Sequence, residues 1–277
     1  MKRIGILCHP MNKAACPLAE ELQGLLNSQG VSVWLCSAWD AEKAKAQLDG
    51  TDLVLTVGGD GTILRAAQVV IPYAIPITGI NLGKLGFMTE LSVDEAKAKL
   101  PALVAGEGWV DERAMLEAEL WLRDKERSSV FYALNDVVMA RGEISRVVRI
   151  EASIDGEPLT TYKADGVIMA TATGSTGYSL SAGGAILHPQ AKEFILLPIL
   201  PHLSLAYTLV LPSTAVVRLC INVAHQAILS IDGHINLPLS SEATVTVKQS
   251  AYRARFLRIH AETSFYGSLE QRLKGKR

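Results

Sequence analysis

The first hundred residues alternate between short apolar runs and amphipathic segments, a pattern that predicts alternating strands and helices. Apolar, β-branched runs predict buried strands at 2–7, 31–35, 52–57 and 77–80. Apolar residues at helical spacing predict helices at 12–29, 40–48, 62–70 and 92–105. Ser92 and Glu95 form a capping box at the start of the last of these helices. Strands and helices in this order predict a parallel sheet with right-handed crossovers.

From about residue 114 the pattern changes and helical signals nearly disappear. Apolar and polar residues alternate from Leu116 to Arg123, as in a half-buried strand. The pairs Asp155-Gly156 and Asp232-Gly233 lie between apolar runs and predict tight hairpins. Further strands are predicted at 216–222, 227–231, 243–247 and 254–259. We therefore expect a second, β-rich domain of two packed sheets, followed by a helical tail.

Composition narrows the class of protein. The 277 residues, 49% apolar and 20% charged, are typical of a globular protein, and the net charge of −1 gives no general attraction to nucleic acid or membrane. The first apolar run is too short for a signal peptide, and no stretch approaches the ~20 apolar residues of a membrane helix. The chain has four cysteines, Cys8, Cys16, Cys36 and Cys220. They form no CxxC pair, so we expect reduced thiols in a cytoplasmic protein, without a disulfide or a metal.

The most informative segment is DLVLTVGGDGT at 52–62, an apolar run that ends in glycines. Ligands of open α/β sheets lie beyond the carboxyl ends of strands, and glycines let backbone N–H groups approach them. The negative charge of Asp60 repels phosphate, so its presence suggests a general base or an acid linked to a metal. A tight turn that tolerates an aspartate is an equally good interpretation of this segment alone.

Standard motifs for other chemistries are missing from the sequence: it has no P-loop, no GxGxxG after a strand, no hydrolase elbow and no HExxH. Asn135 and Asp136 interrupt an apolar run, which indicates a strand end that faces a polar ligand, or alternatively a β-bulge or hairpin corner. The stretch 163–184 is dense in glycine and hydroxyl side chains, which suits phosphate or sugar hydroxyls. A flexible linker is the alternative there.

Five segments together resemble the NAD kinase family. They are GGDGT at 58–62, NLGKLGFMTE at 81–90, Asn135-Asp136, DGVIMATATGSTGYSLSAGGAILHP at 165–189 and SIDGH at 230–234. GGDGT alone also occurs in diacylglycerol and sphingosine kinases, but five segments in order are specific. Two positions depart from the family's pattern: Ala172 stands where proline is commoner, and Tyr207-Thr208 where many members have Arg-Pro. The second departure leaves the local packing, or an interface, undecided. It does not affect the expected reaction.

The resemblance implies a two-domain enzyme: an α/β, Rossmann-like N-terminal domain over 1–110 and a β-rich, two-sheet domain over 111–254. Residues 255–277 are expected to pack back on the first domain. The implied reaction is phosphorylation of the adenosine ribose 2′-hydroxyl of NAD, with ATP or polyphosphate as the donor, to give NADP. Divalent Mg²⁺ would travel on the donor phosphates, since no carboxylate cage for a metal is evident. Members of the family are commonly homodimers or homotetramers.

The resemblance also assigns site residues. Asp60 would be the general base, and Arg65 would neutralise phosphate charge. The donor phosphates would be held by Gly58, Gly59, Gly61 and Thr62. The contacts to NAD would come from Asp60, Gly61, Arg65, Phe87, Asn135, Asp136, Lys163, Asp165, Thr176, Gly177, Tyr178, Ser181 and His234. Among these, Asn135 and Asp136 suit an adenine amino group or a hydroxyl, Lys163 and Asp165 the nicotinamide side, and residues 176–181 the adenosine pocket.

Two alternatives stay open from the sequence. A lipid or sphingoid-base kinase shares GGDGT but needs an apolar or membrane-facing patch, of which the sequence gives no sign. A non-catalytic dinucleotide-binding regulator is expected to lose Asp60, which is present here. The sequence decides neither between ATP and polyphosphate nor between NAD and NADH.

Overall fold

The computed structural model describes residues 1–83, 86–122, 128–143, 147–202, 207–222, 226–262 and 265–274. The chain divides into two compact units. The α/β unit comprises Met1–Glu112 and Ala254–Arg277, and the β unit comprises Arg113–Arg253.

Strands and helices alternate along the first part of the chain. In chain order they are β1 (Arg3–Cys8), α1 (Ala15–Ser28), β2 (Ser32–Ser37), α2 (Ala41–Lys45), β3 (Leu53–Val57), α3 (Asp60–Val70), β4 (Ile77–Asn81), β5 (Leu91–Ser92) and α4 (Val93–Ala105). The remainder is dominated by strands. They are β6 (Trp109–Trp121), β7 (Ser129–Ala133), β8 (Asp136–Arg141), β9 (Val148–Ile154), β10 (Glu157–Ala164), β11 (Gly166–Ala170), β12 (Phe194–Ile199), β13 (Leu209–Leu211), β14 (Val216–Asn222), β15 (Ala227–Ile231), β16 (Ile235–Leu239) and β17 (Thr244–Arg258). Two helices, α5 (Tyr178–Ser181) after β11 and α6 (Phe265–Lys274) after β17, complete the order.

The α/β unit is built on a parallel sheet in the order β2-β1-β3-β4, and the end of β17 pairs beside β4. Leu22 of α1 and Leu100 of α4 share one core with Leu55 of β3. The predicted capping box is present, because the Ser92 hydroxyl accepts from Glu95 N while the Glu95 carboxylate accepts from Ser92 N. The predicted parallel α/β architecture is confirmed.

The β unit contains two antiparallel sheets that pack face to face. One sheet has the order β13-β12-β11-β8-β15-β16, and β10-β9-β14-β17 run side by side in the other. Met169 and Leu229 from the first sheet and Ile150 and Leu219 from the second belong to one buried core. The predicted β-rich fold of two packed sheets is confirmed.

Both predicted hairpin turns are present. Asp155 (φ 51°) and Gly156 (φ 86°) join β9 to β10, and Asp232 (φ 49°) and Gly233 (φ 69°) join β15 to β16. Two consecutive residues with positive φ match the right-handed twist of the strands that they connect. Aspartate followed by glycine tolerates this conformation, which is why these dipeptides predict the turns well.

Several predicted boundaries differ from the structure, and two of the differences have a clear physical cause. The strands predicted at 243–247 and 254–259 are one continuous strand, β17, because the polar residues between them broke the apolar pattern without breaking the strand. α3 begins at Asp60 instead of Thr62, because Gly59 is its N-cap residue in extended conformation. Asp60 therefore lies in the first turn of a helix, where a negative charge is favoured by the helix dipole.

The expectation of four reduced cysteines is wrong for one pair, because the structure joins Cys8 and Cys16 in a disulfide. The end of β1 and the first turn of α1 bring their Cα atoms to 5.5 Å, which is within bonding range although the sequence spacing is not that of a CxxC pair. Cys36 and Cys220 are free. Among the helices that the structure describes, none is both long and apolar enough to cross a membrane.

Candidate functional site

The loops that follow β1, β3 and β4 meet at the carboxyl edge of the parallel sheet. His9 N donates to Val57 O (3.0 Å), and Gly58 N donates to Ile80 O (2.9 Å). The glycine loop after β3 is therefore held between its two neighbours. Ligands of open α/β sheets bind at this edge, so the structure brings GGDGT to the expected place.

Asp60 is fixed by the loop that follows β4. Its Oδ2 accepts a hydrogen bond from Phe87 N (2.8 Å), and its Oδ1 accepts one from Met88 N (3.1 Å). A Cβ atom at Gly86 would lie 2.3 Å from Asp60 Oδ1, so only glycine fits there without a shift. The side chain stays partly exposed, and the carboxylate is therefore fixed in direction and still open to a ligand. Lys84 and Leu85, which belong to the segment NLGKLGFMTE at 81–90, lie outside the described residues.

The remaining residues of GGDGT take different positions. Gly59 and Gly61 are exposed, and added Cβ atoms there would meet nothing within 4 Å. Gly58 is buried against Thr62, whose Oγ1 would lie 2.2 Å from an added Cβ. Thr62 is completely buried, and its hydroxyl has no hydrogen-bond partner among the described residues. A contact between this hydroxyl and the donor phosphates stays a prediction.

Sequence reasoning missed a buried arginine that supports this site. Arg258, 7% exposed at the end of β17, donates from Nη1 to Met88 O (2.7 Å) and from Nε to Asp111 Oδ2 (3.2 Å). It also forms an ion pair with Glu90 (3.3 Å). Met88 thus receives a hydrogen bond on its carbonyl from Arg258 and gives one from its N–H to Asp60. An arginine inside the apolar run of β17 is the signal that the sequence offered.

A cavity of about 450 Å³ lies in the β unit along β8. It brings together three predicted contact residues, Asn135, Asp136 and Tyr178, with two that were not predicted to touch a ligand, Arg141 and Asp232. It is also lined by Val138, Ala140, Ile228, Ser230 and Gly233. An apolar wall with a few polar groups is typical of a site for a small organic ligand.

Asp232 explains why Asn135 and Asp136 stand where they do. Its carboxylate accepts hydrogen bonds from three consecutive backbone N–H groups, those of Leu134 (2.9 Å), Asn135 (2.7 Å) and Asp136 (3.1 Å). Asp232 N in turn donates to Asp136 O (2.9 Å). The Asp-Gly turn after β15 therefore fixes the backbone at the entry to β8. Asn135 and Asp136 lie at this end of the strand, in agreement with the interpretation of the sequence as a strand end.

Two polar groups at this entry are chemically unusual. Burial and the nearby charge of Asp232 raise the pKa of Asp136 to about 7, which leaves its carboxyl group partly protonated near neutral pH. The Oδ1 atom of Asn135 is buried and has no hydrogen-bond partner among the described residues. An unused acceptor in the wall of a cavity costs free energy until a ligand donates to it, so this atom points to a binding role.

The other predicted contacts of the β unit do not line this cavity. Asp165 forms an ion pair with Arg141 (2.9 Å), which does line it, and His234 Nδ1 lies 3.1 Å from Asp232 O. An added Cβ at Gly177 would lie 3.7 Å from Asn135 Nδ2. The side chains of Lys163 and Ser181 are exposed, and that of Thr176 is partly exposed.

In the described ranges, no three His, Cys, Asp or Glu side chains are grouped so that they could hold a metal ion. On the α/β side, Arg65 lies on α3 with its guanidinium over the ring of Trp39, at 4.0 Å from the ring centroid. Burial lowers the pKa of this guanidinium from its ordinary value. It is the cation that α3 offers near the glycine loop.

Comparison with protein families and known proteins gives a consistent result. A model of the ATP-NAD kinase N-terminal domain matches residues 37–108, and a model of the ATP-NAD kinase C-terminal domain matches residues 134–259. The chain is 50% identical to an NAD kinase of Dehalococcoides mccartyi over 274 residues, which is 99% of this chain and 96% of that protein. It is 38% identical to an NAD kinase of Chloroflexus aurantiacus over 274 residues, 99% of each chain.

Two solved structures are similar over nearly the full length. The crystal structure of yeast NADH kinase complexed with NADH has a TM-score of 0.86 at 27% identity, covering 99% of this chain and 88% of that one. An NAD kinase from Archaeoglobus fulgidus in complex with ATP has a TM-score of 0.75 at 24% identity, covering 98% of this chain and 96% of that one. At 24% identity, the similarity to the Archaeoglobus fulgidus structure supports the fold alone.

Proposed function

The chain belongs to the NAD kinase family, and we propose that Asp60 is the general base as a phosphoryl group passes from ATP or polyphosphate to the adenosine ribose 2′-hydroxyl of NAD. The observation that carries this assignment is the geometry of Asp60, whose carboxylate is held by two backbone N–H groups at the start of α3. A carboxylate oxygen has more than one acceptor site, so each oxygen can still accept a proton while it keeps its amide contact.

The chemistry of phosphoryl transfer indicates what the residues of the site contribute. The transition state is loose, and most of the catalysis comes from positioning and from stabilisation of charge. The 2′-hydroxyl must lose its proton as it attacks phosphorus, and a positioned general base accelerates such a step by roughly 10²–10⁴-fold. The exposed backbone at Gly59 and Gly61, at the positive end of α3, suits the donor phosphates. Gly58, Thr62 and Arg65 are proposed to assist there.

We propose that Mg²⁺ enters with the donor. The described residues supply no cage of carboxylates, which fits an ion whose ligands are phosphate oxygens and water. When bound, it neutralises charge on the donor phosphates. The enzyme is proposed to be cytoplasmic. It is also proposed to be a homodimer or homotetramer, and light scattering on the purified protein will test this oligomeric state.

The cavity of the β unit is proposed to bind the adenosine part of NAD. Asn135 Oδ1 can accept from the adenine amino group, and the half-exposed ring of Tyr178 can pack against the base. Asp136 offers a donor or an acceptor, according to its protonation. The remaining proposed contacts are Phe87, Lys163, Asp165, Thr176, Gly177, Ser181 and His234. A lipid kinase is not favoured, because both matching family models describe NAD kinase domains.

The experiment compares NADP formation from NAD, ATP and Mg²⁺ by wild type, Asp60→Asn and Asp52→Asn. Asp52 is a matched control, because its carboxylate also accepts from two backbone N–H groups, those of Lys2 and Arg3, but at the amino end of β3. Asp60→Asn is expected to lose about 10²–10⁴-fold in kcat with NAD binding retained, and Asp52→Asn is expected to keep wild-type kcat. Loss of activity in both variants alike contradicts the assignment of the base.

A further inference from the structure

Arg65, proposed above to assist at the donor phosphates, forms a cluster beside the glycine loop with two side chains, Trp39 and His9, that the reaction described so far does not use. Trp39 lies after β2 and is 37% exposed. The guanidinium of Arg65 lies 4.0 Å from the centroid of its ring, and the ring of His9 lies 4.5 Å away at an interplanar angle of 57°. We call these three residues the Trp39 cluster.

The Trp39 cluster borders the glycine loop directly. Ala38 N donates to Cys8 O (3.0 Å), and His9 N donates to Val57 O (3.0 Å), so the loops after β2, β1 and β3 lie side by side. A Cβ atom at Gly58 would lie 3.2 Å from His9 Cβ, which places His9 against the loop itself. A ligand whose phosphates lie on this loop therefore meets His9 and Trp39 on one side.

The chemistry of the cluster suits a flat aromatic ligand. An indole that stays partly in water keeps apolar surface available, and a guanidinium stacked on it adds a second plane. Arg65 is partly buried where its guanidinium lies over this ring, and this burial lowers its pKa. Aromatic rings and arginine planes are the groups on which proteins stack nucleic-acid bases.

We propose that the Trp39 cluster binds the purine base of the nucleoside triphosphate that donates the phosphoryl group. The proposal rests on the kinase function proposed above, and it answers which donor the enzyme uses. Both donors carry phosphate charge, so Arg65 can attract either of them. Inorganic polyphosphate has no base, so only the nucleotide can stack on the indole of Trp39. The enzyme is therefore a nucleotide-dependent kinase in which Trp39 is a specificity residue.

The test measures binding without turnover. Isothermal titration of wild type, Trp39→Ala and Trp39→Phe uses Mg·ATP and Mg·tripolyphosphate as the two ligands, and NAD as a third. Trp121→Ala is the control, since this tryptophan is 49% exposed on β6 in the other unit. Trp39→Ala is expected to weaken ATP binding by about 10- to 100-fold, as for the loss of one stacked base, with tripolyphosphate and NAD within about two-fold. Trp39→Phe should restore most of the affinity.

Two outcomes overturn the proposal. Equal weakening of ATP and tripolyphosphate binding in Trp39→Ala means that Trp39 acts only by placing the charge of Arg65. Unchanged ATP binding in Trp39→Ala, or no ATP binding by wild type, means that no base occupies the cluster. A failure of NADP formation is a separate result, because titration reads ATP affinity whether or not the transfer occurs.

Discussion

Two aspartates in this molecule have nearly the same local chemistry and very different surroundings. Asp60 in the α/β unit accepts hydrogen bonds from two consecutive N–H groups, and Asp232 in the β unit accepts from three. Asp232 is only 6% exposed, whereas Asp60 is partly open to solvent. The first carboxylate has spare acceptor capacity that a ligand can reach, and the second is committed to holding a turn.

The difference shows which features separate a reacting carboxylate from a structural one. The type of residue and its amide contacts are shared, so they do not distinguish the two. Access to solvent and the number of amides held do distinguish them, and so does the neighbour: the charge of Asp232 helps to raise the pKa of Asp136, while Asp60 is linked through Met88 to the cation of Arg258. Variants of these carboxylates and of their neighbours separate the two roles.

Arg258→Met should destabilise the protein most. Asp111 and Glu90 are buried around the guanidinium, and removal of one partner from a buried ion pair typically costs about 3–5 kcal/mol. Arg255→Met is the control, because its pair with Glu112 is exposed and such pairs are worth about 1 kcal/mol or less. Urea unfolding measures both variants, and equal losses would show that the buried network has no special role.

Asp232→Asn should lower the free energy of unfolding by about 3 kcal/mol, because three N–H groups lose a charged acceptor. Asp155→Asn is the matched control: it lies in the equivalent position of the other Asp-Gly turn, and its exposed carboxylate accepts, among the described residues, a single backbone hydrogen bond from Val216 N (2.8 Å). The control should unfold within about 1 kcal/mol of wild type. Similar melting of the two variants would contradict the structural role of Asp232.

Asp136 should make stability depend on pH. Its pKa in the folded protein, about 7, lies above the ordinary value of 3.8, so between these values the folded state holds a proton that the unfolded state has lost. Stability from this group is therefore lost as pH rises toward 7. Between pH 5 and pH 8, Asp136→Asn should gain on the order of 2 kcal/mol relative to wild type, as measured by urea unfolding at both pH values. Parallel curves would contradict the raised pKa.

Gly86→Ala should reduce kcat by about ten-fold, which corresponds to roughly 1.4 kcal/mol, because the new methyl group displaces the Asp60 carboxylate. Gly24→Ala is the control, since an added Cβ there meets nothing within 4 Å and lies inside α1. That control should be as active as wild type and slightly more stable. An unchanged kcat in Gly86→Ala would show that the position of the carboxylate is not critical.

Much of the architecture could be predicted because it depends on local signals. The β-branched run before Gly58 and the Asp-Gly dipeptides each report the conformation of a few neighbouring residues, and the structure has the predicted strand and hairpins there. Asp60 could be singled out for the same reason, since a carboxylate among glycines contradicts simple phosphate binding.

Other features depend on contacts between distant residues, and no local pattern reports them. Arg258 meets Met88 across 170 positions, and Asp232 meets Leu134 across 98. The Cys8–Cys16 bond forms where the end of β1 and the first turn of α1 bring the two Cα atoms to 5.5 Å, and no spacing motif reports this approach. The cluster of Trp39 and Arg65 likewise forms only when the loops of separate strands reach the same edge.

Asp60 takes part in the reaction while Asp232 supports the fold, and a paired measurement separates the two roles. NADP formation and urea unfolding are measured for Asp60→Asn and Asp232→Asn side by side. Asp60→Asn is expected to lose about 10²–10⁴-fold in kcat and to unfold within about 1 kcal/mol of wild type, whereas Asp232→Asn is expected to lose about 3 kcal/mol of stability. An Asp60→Asn variant that retains kcat within about ten-fold, or that loses as much stability as Asp232→Asn, would contradict these two roles.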